Sequence, residues 1–556
     1  MINEKSNLIY GEATTSNEGL MSAADKTKLN GVEPGAQANI IETIKRNGTA
    51  LTPSNKAVDI EVPTTAQEIS YNNTSSGLSA MNTQSAIDEL MTKIESVRLA
   101  LDNIHIYGAK WSGVTHQMTR CFDAANITTD TTNFVYSGSV NANYSNPFDS
   151  IYPWSDCRQC NVDMTLYTAL DPGDDIRDAV VAWYGDPDFE TDGTNGFVGR
   201  YTPEFWYSAF DADDGRLFAI SDKEIAGWNH HKPSIRSIGF AVDDGNDGVT
   251  SNDGQPLTNI QVSAIHTRAT TAGMTLQNIY ELDAQTMLAI VEFASYDAQR
   301  VMGNGCVSGY YKCTVTVPSE SAGTGKTQVL LPKAAKAYCL AGATLDFATS
   351  QDGVVIANRR TVVSVADYDS TYCLVTFTPG LDLNTSLYAS IHGRCSDDSF
   401  GNKSGYIGAD GKNNAWYRGA IMWGNRNQYT LGIARKTGTS HVWLCPEEDC
   451  DDYDGLNETA FYDTGIVVPI VESNAWKSIG NMKYPNGIMA VGVIDEFASI
   501  VGDSQYCVTA ATGNTTPFFG GSASSGAYCG FCCASWNAGP GYSSWYNAGV
   551  LLLKTP

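Results

Sequence analysis

The chain has 556 residues, 42% hydrophobic and 17% charged, with 52 glycines and a net charge of −26. That length exceeds a single core, so two to four domains are expected, and the glycine content favours turns and short strands over a helical bundle. The acidic balance excludes nucleic acid and anionic membrane as partners; no apolar run nears the ~20 residues of a membrane span, and Met1–Lys5 opens no secretory signal, so work outside a cell would require another exit, such as lysis.

The first element is a short helix. Ser22 stands at an N-cap position with Asp25 three residues on, Ala23 to Leu29 are helix-compatible, and Asn30-Gly31 closes it. Residues 41–84 read as a β-hairpin connector: Ile41 to Arg46 leads into Asn47-Gly48, and Ala57 to Val62 alternates as the returning strand before Pro63. From Ile87 the apolar positions Ile87, Leu90, Ile94, Val97, Leu101 and Ile104 step by 3, 4, 3, 4, 3, a heptad seam over residues 85–106. Its a and d residues favour three strands, and the bland alternative is an amphipathic helix lying on a domain.

These N-terminal phrases carry a resemblance. Gly11 to Asn39, with its core Gly19-Leu20-Met21-Ser22-Ala23-Ala24-Asp25-Lys26 through Leu29-Asn30-Gly31, resembles a segment that recurs in phage tail fibre and tail-tip proteins. Ile44 to Leu51 and Tyr71 to Leu90 resemble tail fibre sequence as well. The resemblance implies that residues 1–40 attach to other tail or baseplate proteins, and that the seam forms the stalk of a homotrimer.

From Tyr107 aromatics, glycines and turn clusters such as Asp171-Pro172-Gly173-Asp174 dominate. Tyr152-Pro153-Trp154-Ser155-Asp156, Cys160-Asn161-Val162, Tyr184-Gly185-Asp186-Pro187 and Thr202-Pro203-Glu204-Phe205-Trp206-Tyr207 resemble the C-type-lectin-like module at the end of many phage tail proteins. That fold also occurs in formylglycine-generating enzymes and in the variable proteins of diversity-generating retroelements. Leu276 to Arg300 predicts one long amphipathic helix, stopped by Gly303-Asn304-Gly305. Residues 306–391, with runs such as Thr314 to Val317 and Cys373 to Phe377, predict a β-rich insertion between the two parts of the module, 107–305 and 392–556. The second part resumes with Trp416-Tyr417-Arg418-Gly419 and Trp423-Gly424-Asn425, where Ala420-Ile421-Met422 lacks the acidic residue the family often has. The fold expected is therefore α+β and β-rich: an N-terminal helix and hairpin, a trimeric coiled-coil stalk, and a large C-type-lectin-like head with a β insertion.

The last stretch is unusual. Between Gly520 and Ala548 there is no Asp, Glu, Lys, Arg, Gln or Met, but there are three Tyr, two Trp and three Cys. Rigid aromatics among small polar residues form binding loops, because Tyr and Trp give contact area at low entropy cost. Gly520, Gly521, Gly526, Gly530, Trp545 and Val550 to Leu553 are expected as scaffold. Ser522, Ser524, Ser525, Ala527, Tyr528, Phe531, Cys533, Ser535, Asn537, Tyr542, Ser544, Tyr546 and Asn547 are expected to face a receptor, a host-surface glycan or protein. In the retroelement-diversified relatives, randomised AAC codons cannot yield Lys, Glu, Gln, Met or Trp; the stretch lacks the first four, and its Trp would be fixed scaffold.

Other chemistry is weakly signalled. Asp243 to Gly248 and Glu447 to Asp454 lack EF-hand spacing and read as solvated turns. The 14 Cys, including Cys157-x-x-Cys160 and Cys529-x-x-Cys532-Cys533, form no second zinc-spaced pair and read as buried or free thiols. His230-His231 and His392 are isolated, with His230 and His231 expected to shape a loop; no G-x-S-x-G occurs. Ala322 to Thr327 ends like a phosphate loop, but Glu320 replaces its opening Gly. No catalytic residue, metal or cofactor is expected. The chain reads as a non-enzymatic receptor-binding protein of a virion tail tip, assembled in the host cytoplasm. The alternatives are a structural tail or baseplate component and a host surface-polysaccharide hydrolase, whose two carboxylates no motif marks.

Overall fold

The computed structural model describes residues 13–17, 19–34, 44–46, 48–51, 65–72, 78–101, 104–128, 147–212, 215–254, 256–302, 313–337, 344–349, 355–392, 416–436, 440–446, 461–484, 492–507, 514–522, 525–544 and 546–556, with residues 74, 76, 339 and 487. The chain divides into two compact units, residues 1–100 and 101–556. β-Strands predominate and helices are few, as an α+β, β-rich chain requires.

In the first unit α1 spans Ala23–Asn30. Ser22 Oγ accepts from Asp25 N at 3.1 Å and donates to the Asp25 carboxylate at 2.8 Å, while Gly31 caps the other end. The hairpin differs from expectation. Its strands are Ile44–Arg46 and Thr49–Leu51, paired directly across the turn, with Arg46 opposite Thr49. A two-residue turn with Gly48 in the left-handed region (φ +82°) returns the chain at once. The proposed returning strand, 57–62, lies outside the described residues. Helix α2 spans Thr83–Leu101. Asn82 Oδ1 accepts from Ser85 N at 2.8 Å, and Glu89 accepts from Ser79 N and Ala80 N, tying the approach to the helix. The Ser79 bond, chief among these, holds the Glu89 carboxyl below its ordinary range. Ile87 and Leu90 stand half-exposed on α2; the side chains of Ile94, Val97 and Leu101 lie outside the described set.

Ile104 is not in the helix, which corrects the seam at its last position. The second unit is already turning into a strand there: His105 N donates to Asp222 and Ile106 N to Asp123, each at 2.8 Å. The strand Ile106–Trp111 then pairs with Met118–Phe122 and Gly215–Ser221. Phe205–Ala212 and Asn229–His231 complete this five-stranded sheet.

A second sheet carries the chain terminus. Leu551–Lys554 lies between Ser234–Ser237 and Thr275–Leu276, and Phe197–Thr202, Arg158–Val162 and Val180–Trp183 continue the sheet. Leu551, Leu552 and Leu553 are buried. The last strand is therefore an interior strand, and its apolar run suits that place. Two short helices, α3 (Met164–Thr168) and α4 (Val262–Thr271), flank this core; Ile265 and Ala269 of α4 pack in the same cluster as Leu551 and Leu553.

The long helix is shorter than expected and differently buried. Helix α5 spans Ile279–Phe293, and α6 (Ala298–Met302) follows separately. Asn278 caps α5 by accepting from Glu281 N, and Ala294 ends it in the left-handed conformation (φ 50°). The chain leaves because Met118 N donates to Ala294 O and Tyr296 N to His116 O, joining the helix end to a strand. Every α5 residue except Tyr280 is buried, including Glu281, Asp283 and Glu292. It is a central helix, not an amphipathic one.

Residues 313–392 supply all six strands of a separate antiparallel sheet, ordered 313–316, 388–392, 344–348, 355–367, 372–383 and 323–332. Val329, Leu331, Phe347, Val362, Val375 and Phe377 make its own core. Gly323 to Thr327 lies in a strand, which ends the phosphate-loop reading. A seven-stranded sheet, described below, completes the second unit with a three-stranded one of Ile433–Arg435, His441–Leu444 and Tyr462–Val467.

Beneath α5 sits a buried ion pair. Arg418 Nε and Nη2 donate to the two Glu292 oxygens, each at 2.8 Å, with both side chains fully buried. Tyr417 Oη donates to Glu292 at 2.7 Å, and Arg418 Nη1 donates to Trp154 O at 2.9 Å. Removing one partner of such a pair strands a desolvated charge. Arg418→Met and Glu292→Gln are each expected to lower the unfolding free energy by about 3–5 kcal/mol. The double variant should lose less than the sum, measured by urea unfolding.

Candidate binding surface

The terminal stretch enters the seven-stranded sheet, whose order is Val493–Phe497, Ala475–Lys483, Ser504–Cys507, Ala534–Ser535, Phe518–Phe519, Asn427–Tyr429 and Asn547–Gly549. Register partners Trp476, Tyr506, Ser535, Phe518 and Tyr429 form one row across five strands. The neighbouring row, Gln505, Ala534, Phe519 and Gln428, is buried. There Gln428 donates to Met422 O at 2.7 Å and accepts from Gln277 at 2.9 Å.

Loops from the terminal stretch place tyrosines at two points of the aromatic row. Tyr528 lies flat on Trp476, with ring centroids 5.0 Å apart and planes within 9°, and Tyr506 meets the same indole edge-on at 5.4 Å. Tyr542 packs on Phe518, its ring centroid 6.0 Å away, and touches Tyr546 through the hydroxyls. Tyr528 and Tyr542 remain 41% and 39% exposed, so each presents ring area while a neighbour fixes its orientation. Tyr429, behind Phe518, donates its hydroxyl to Ile260 O at 2.7 Å; burial pushes its phenol up to about 12.

The thirteen residues expected to face a receptor separate into three groups. Tyr528, Tyr542, Ala527 and Asn537 are exposed, and Ser544 and Tyr546 are half-buried. Ser522, Ser525, Phe531, Cys533, Ser535 and Asn547 are buried, which corrects their outward placement. Their polar atoms are used internally: Ser525 Oγ accepts from Ser522 N at 3.0 Å, Ser535 Oγ donates to Asn537 at 2.7 Å, and Asn547 accepts from Asn427 at 3.0 Å. Ser524 and Trp545 lie outside the described residues. Trp476 and Tyr506 were not anticipated; their contribution comes from strand pairing, although Trp476 lies two residues beyond a turn-like Ser473-Asn474.

The loop has a rigid floor. Gly530 adopts φ +154°, and a Cβ there would stand 2.0 Å from Asp503 Oδ1. Asp503 Oδ2 accepts from Cys532 N at 2.8 Å, and burial raises this carboxyl well above its ordinary value. Cys529, Cys532 and Cys533 are buried free thiols, all pushed up by burial. Among the described residues no group of three His, Cys, Asp or Glu is placed to hold a metal ion.

The histidine pair is not in a loop. Both residues lie in the strand Asn229–His231, because that edge pairs with Phe205–Tyr207. His230 stacks on Trp206 at 4.6 Å and meets Glu204 at 2.8 Å. His231 is buried, Nδ1 facing Pro203 O at 3.0 Å and Nε2 facing Glu281 at 2.9 Å. Ser234 Oγ donates to Glu281 at 2.8 Å and lies 3.4 Å from His231 Nε2. The cluster lines a pocket of about 210 Å³ with Lys232, Lys554 and Thr555. Beside it Thr555 Oγ1, just past the last strand, donates to Pro233 O. The turn at Asp243 to Gly248 spends its carboxylates on its own backbone and on Arg268; Glu447 to Asp454 lies outside the described residues.

No protein-family model matches the chain, and no curated protein matches it.

Desolvation alone would raise the Glu281 carboxyl, but His231 above all, then Arg200 and Arg236, hold it down at about 2. A depressed carboxyl stabilises the fold above its unfolded value and loses that contribution as pH falls. The destabilisation caused by Glu281→Gln should shrink as pH falls from 4.5 to about 2. The total change should be on the order of 3 kcal/mol. Urea midpoints of both proteins across that range check it.

Proposed function

We propose that the chain is a receptor-binding protein of a phage tail tip, working without catalysis, with residues 1–40 as its attachment to other tail or baseplate proteins. The head, taken as a C-type-lectin-like module with residues 306–391 inserted, recognises a host-surface glycan or protein. One observation carries the reading: Tyr528 and Tyr542 stand exposed on fixed aromatic supports, in a stretch free of charged side chains. Such rings stack on the apolar faces of sugars or fill pockets in a protein partner at little entropic loss. Diversification of the stretch by a retroelement would act on the exposed set, since buried Ser, Cys and Asn positions hold the loop together.

The exposed Ile87 and Leu90 of α2 support a homotrimer through the seam Ile87, Leu90, Ile94, Val97 and Leu101. Three heads would turn weak single contacts into avid ones. The seam is under three heptads, so oligomerisation should be sensitive to single charges. Ile87→Glu with Leu90→Glu is expected to convert a trimer into monomers in sedimentation, with α2 still helical; a wild-type monomer at all concentrations would refute the stalk.

Deleting the last ~40 residues is a poor test, because Leu551–Lys554 is an interior strand and its loss would unfold the second unit. Substitution is cleaner. Fluorescently labelled full-length protein is mixed with a panel of whole bacterial cells, and bound protein is counted. The doubly substituted Tyr528→Ala, Tyr542→Ala protein should melt with the wild type and lose at least about tenfold in adsorption, the equivalent of one or two hot-spot contacts. Equal adsorption by the folded variant would eliminate the terminal surface and leave the structural-component alternative.

A further inference from the structure

The six-stranded sheet of residues 313–392 has a feature that the terminal surface does not use. A groove of about 320 Å³ opens on it, walled by Glu320, Lys326, Thr327, Gln328, Tyr368 and Leu374. The strand Gly323–Pro332 slips register twice against Tyr372–Leu383, between Gly323 and Lys326 and again between Lys326 and Gln328. Such bulges turn side chains out of the regular alternation and recur beside binding sites. Here they leave Thr327 and Gln328 both exposed, although neighbours in a regular strand face opposite sides.

Tyr368 forms the other wall and is 55% exposed. Its backbone is held at the start of a tight turn: Tyr368 N donates to Tyr372 O, and Asp369 accepts from Thr371 N and Tyr372 N at 2.6 and 2.7 Å. Lys333 Nζ donates to Asp369 O, and Lys336 pairs with Asp367 at 3.0 Å, clamping the turn from outside. Gln328 donates one amide hydrogen to Thr376 Oγ1 at 3.2 Å, which fixes its plane. An exposed Tyr ring on a fixed backbone, an amide held in plane, a carboxylate and an ammonium thus line one concave site of ligand size.

We infer that this groove is a second binding site, for a neutral saccharide unit, distinct from the terminal aromatic surface. A sugar ring has an apolar C–H face, which a Tyr ring covers, and a rim of hydroxyls that both donate and accept. Glu320 accepts, Lys326 donates, and the amide of Gln328 can do both. The net charge of −26 disfavours anionic glycans. The inference rests on the glycan-binding reading of the chain, but its test is separable from that reading.

Full-length protein is titrated calorimetrically with four neutral disaccharides: maltose, cellobiose, lactose and chitobiose. At least one should bind saturably. Tyr368→Ala and Gln328→Ala should each weaken it by about tenfold, the loss of one well-made contact. The Tyr528→Ala, Tyr542→Ala protein should bind it as the wild type does. Binding of none of the four, binding unchanged by Tyr368→Ala, binding lost in the Tyr528→Ala, Tyr542→Ala protein, or equal binding of an anionic heparin disaccharide would each overturn the assignment. Tyr368 and Gln328 are exposed, so unchanged melting certifies the folded variants. Failure here with cell adsorption still dependent on Tyr528 and Tyr542 would sink the groove alone.

Discussion

The Arg418–Glu292 pair is the constraint around which the second unit is arranged. It joins parts of the chain that sequence keeps far apart: α5, the Trp416–Ile421 hairpin, and the segment from Phe148 to Trp154. Burying two charges is unfavourable unless each is met by its partner and by further hydrogen bonds. Here Glu292 also receives Tyr417, and Arg418 also reaches Trp154 O and Asp149. Arg418 and Gly419 follow each other with positive φ, 44° and 84°, so the backbone is bent to deliver the guanidinium. Hydrophobic packing of Trp154, Phe148 and Trp423 would tolerate small slips between these segments. A bidentate ion pair in their midst does not, since a slip of one residue leaves a bare charge.

The same logic of tying late chain to early chain explains why a Gly- and Ser-rich stretch can be ordered. Leu551–Lys554 is stitched into a sheet made by residues 158–276, and Asn427–Tyr429 pairs with both Phe518–Phe519 and Asn547–Gly549. The loops between 520 and 546 thus start and end on one strand's two edges. A loop with both ends fixed keeps only the freedom of its tip, and Asp503 removes more by holding Cys532 N. Tyrosines on such a loop are held in place before any partner arrives, which lowers the entropy lost on contact.

Much of the local structure was legible in the sequence. The α1 boundaries follow from Ser22, Asp25 and Gly31, because capping is a contact among neighbours. The strands at Thr314–Val317 and Cys373–Phe377 follow from β-branched runs, and the hairpin turn from Asn47-Gly48. What failed depended on distant partners. Glu281, Asp283 and Glu292 gave α5 the pattern of an amphipathic helix, yet each carboxylate is inside, two of them bonded to His231 and Arg418 from elsewhere. The terminal Ser and Asn residues look like surface residues by type. Ser522, Ser535 and Asn547 are buried because tight glycine turns let short polar side chains bond one another and the backbone. Trp476 and Tyr506 could not be found from the terminal stretch, since only sheet pairing brings them under Tyr528.

These placements change what kind of surface the terminal stretch can be. Thirteen outward residues would have made a broad, adaptable loop patch. The exposed remainder is smaller and mainly aromatic, with Asn537 as its most exposed amide and with no charge of its own. A contact made by a few rings offers shape and apolar area but few directional bonds. On the proposed reading its affinity for one receptor unit is therefore modest, and specificity comes from where the rings stand. A trimeric stalk, if it forms as proposed, would compensate for the first limit by repeating the contact. A separate saccharide groove on residues 313–392 would compensate for the second, because two sites must be satisfied in one geometry. The scaffold suits such a division: the groove lies on a sheet with its own core, so either surface can change while the fold of the other stays unaltered.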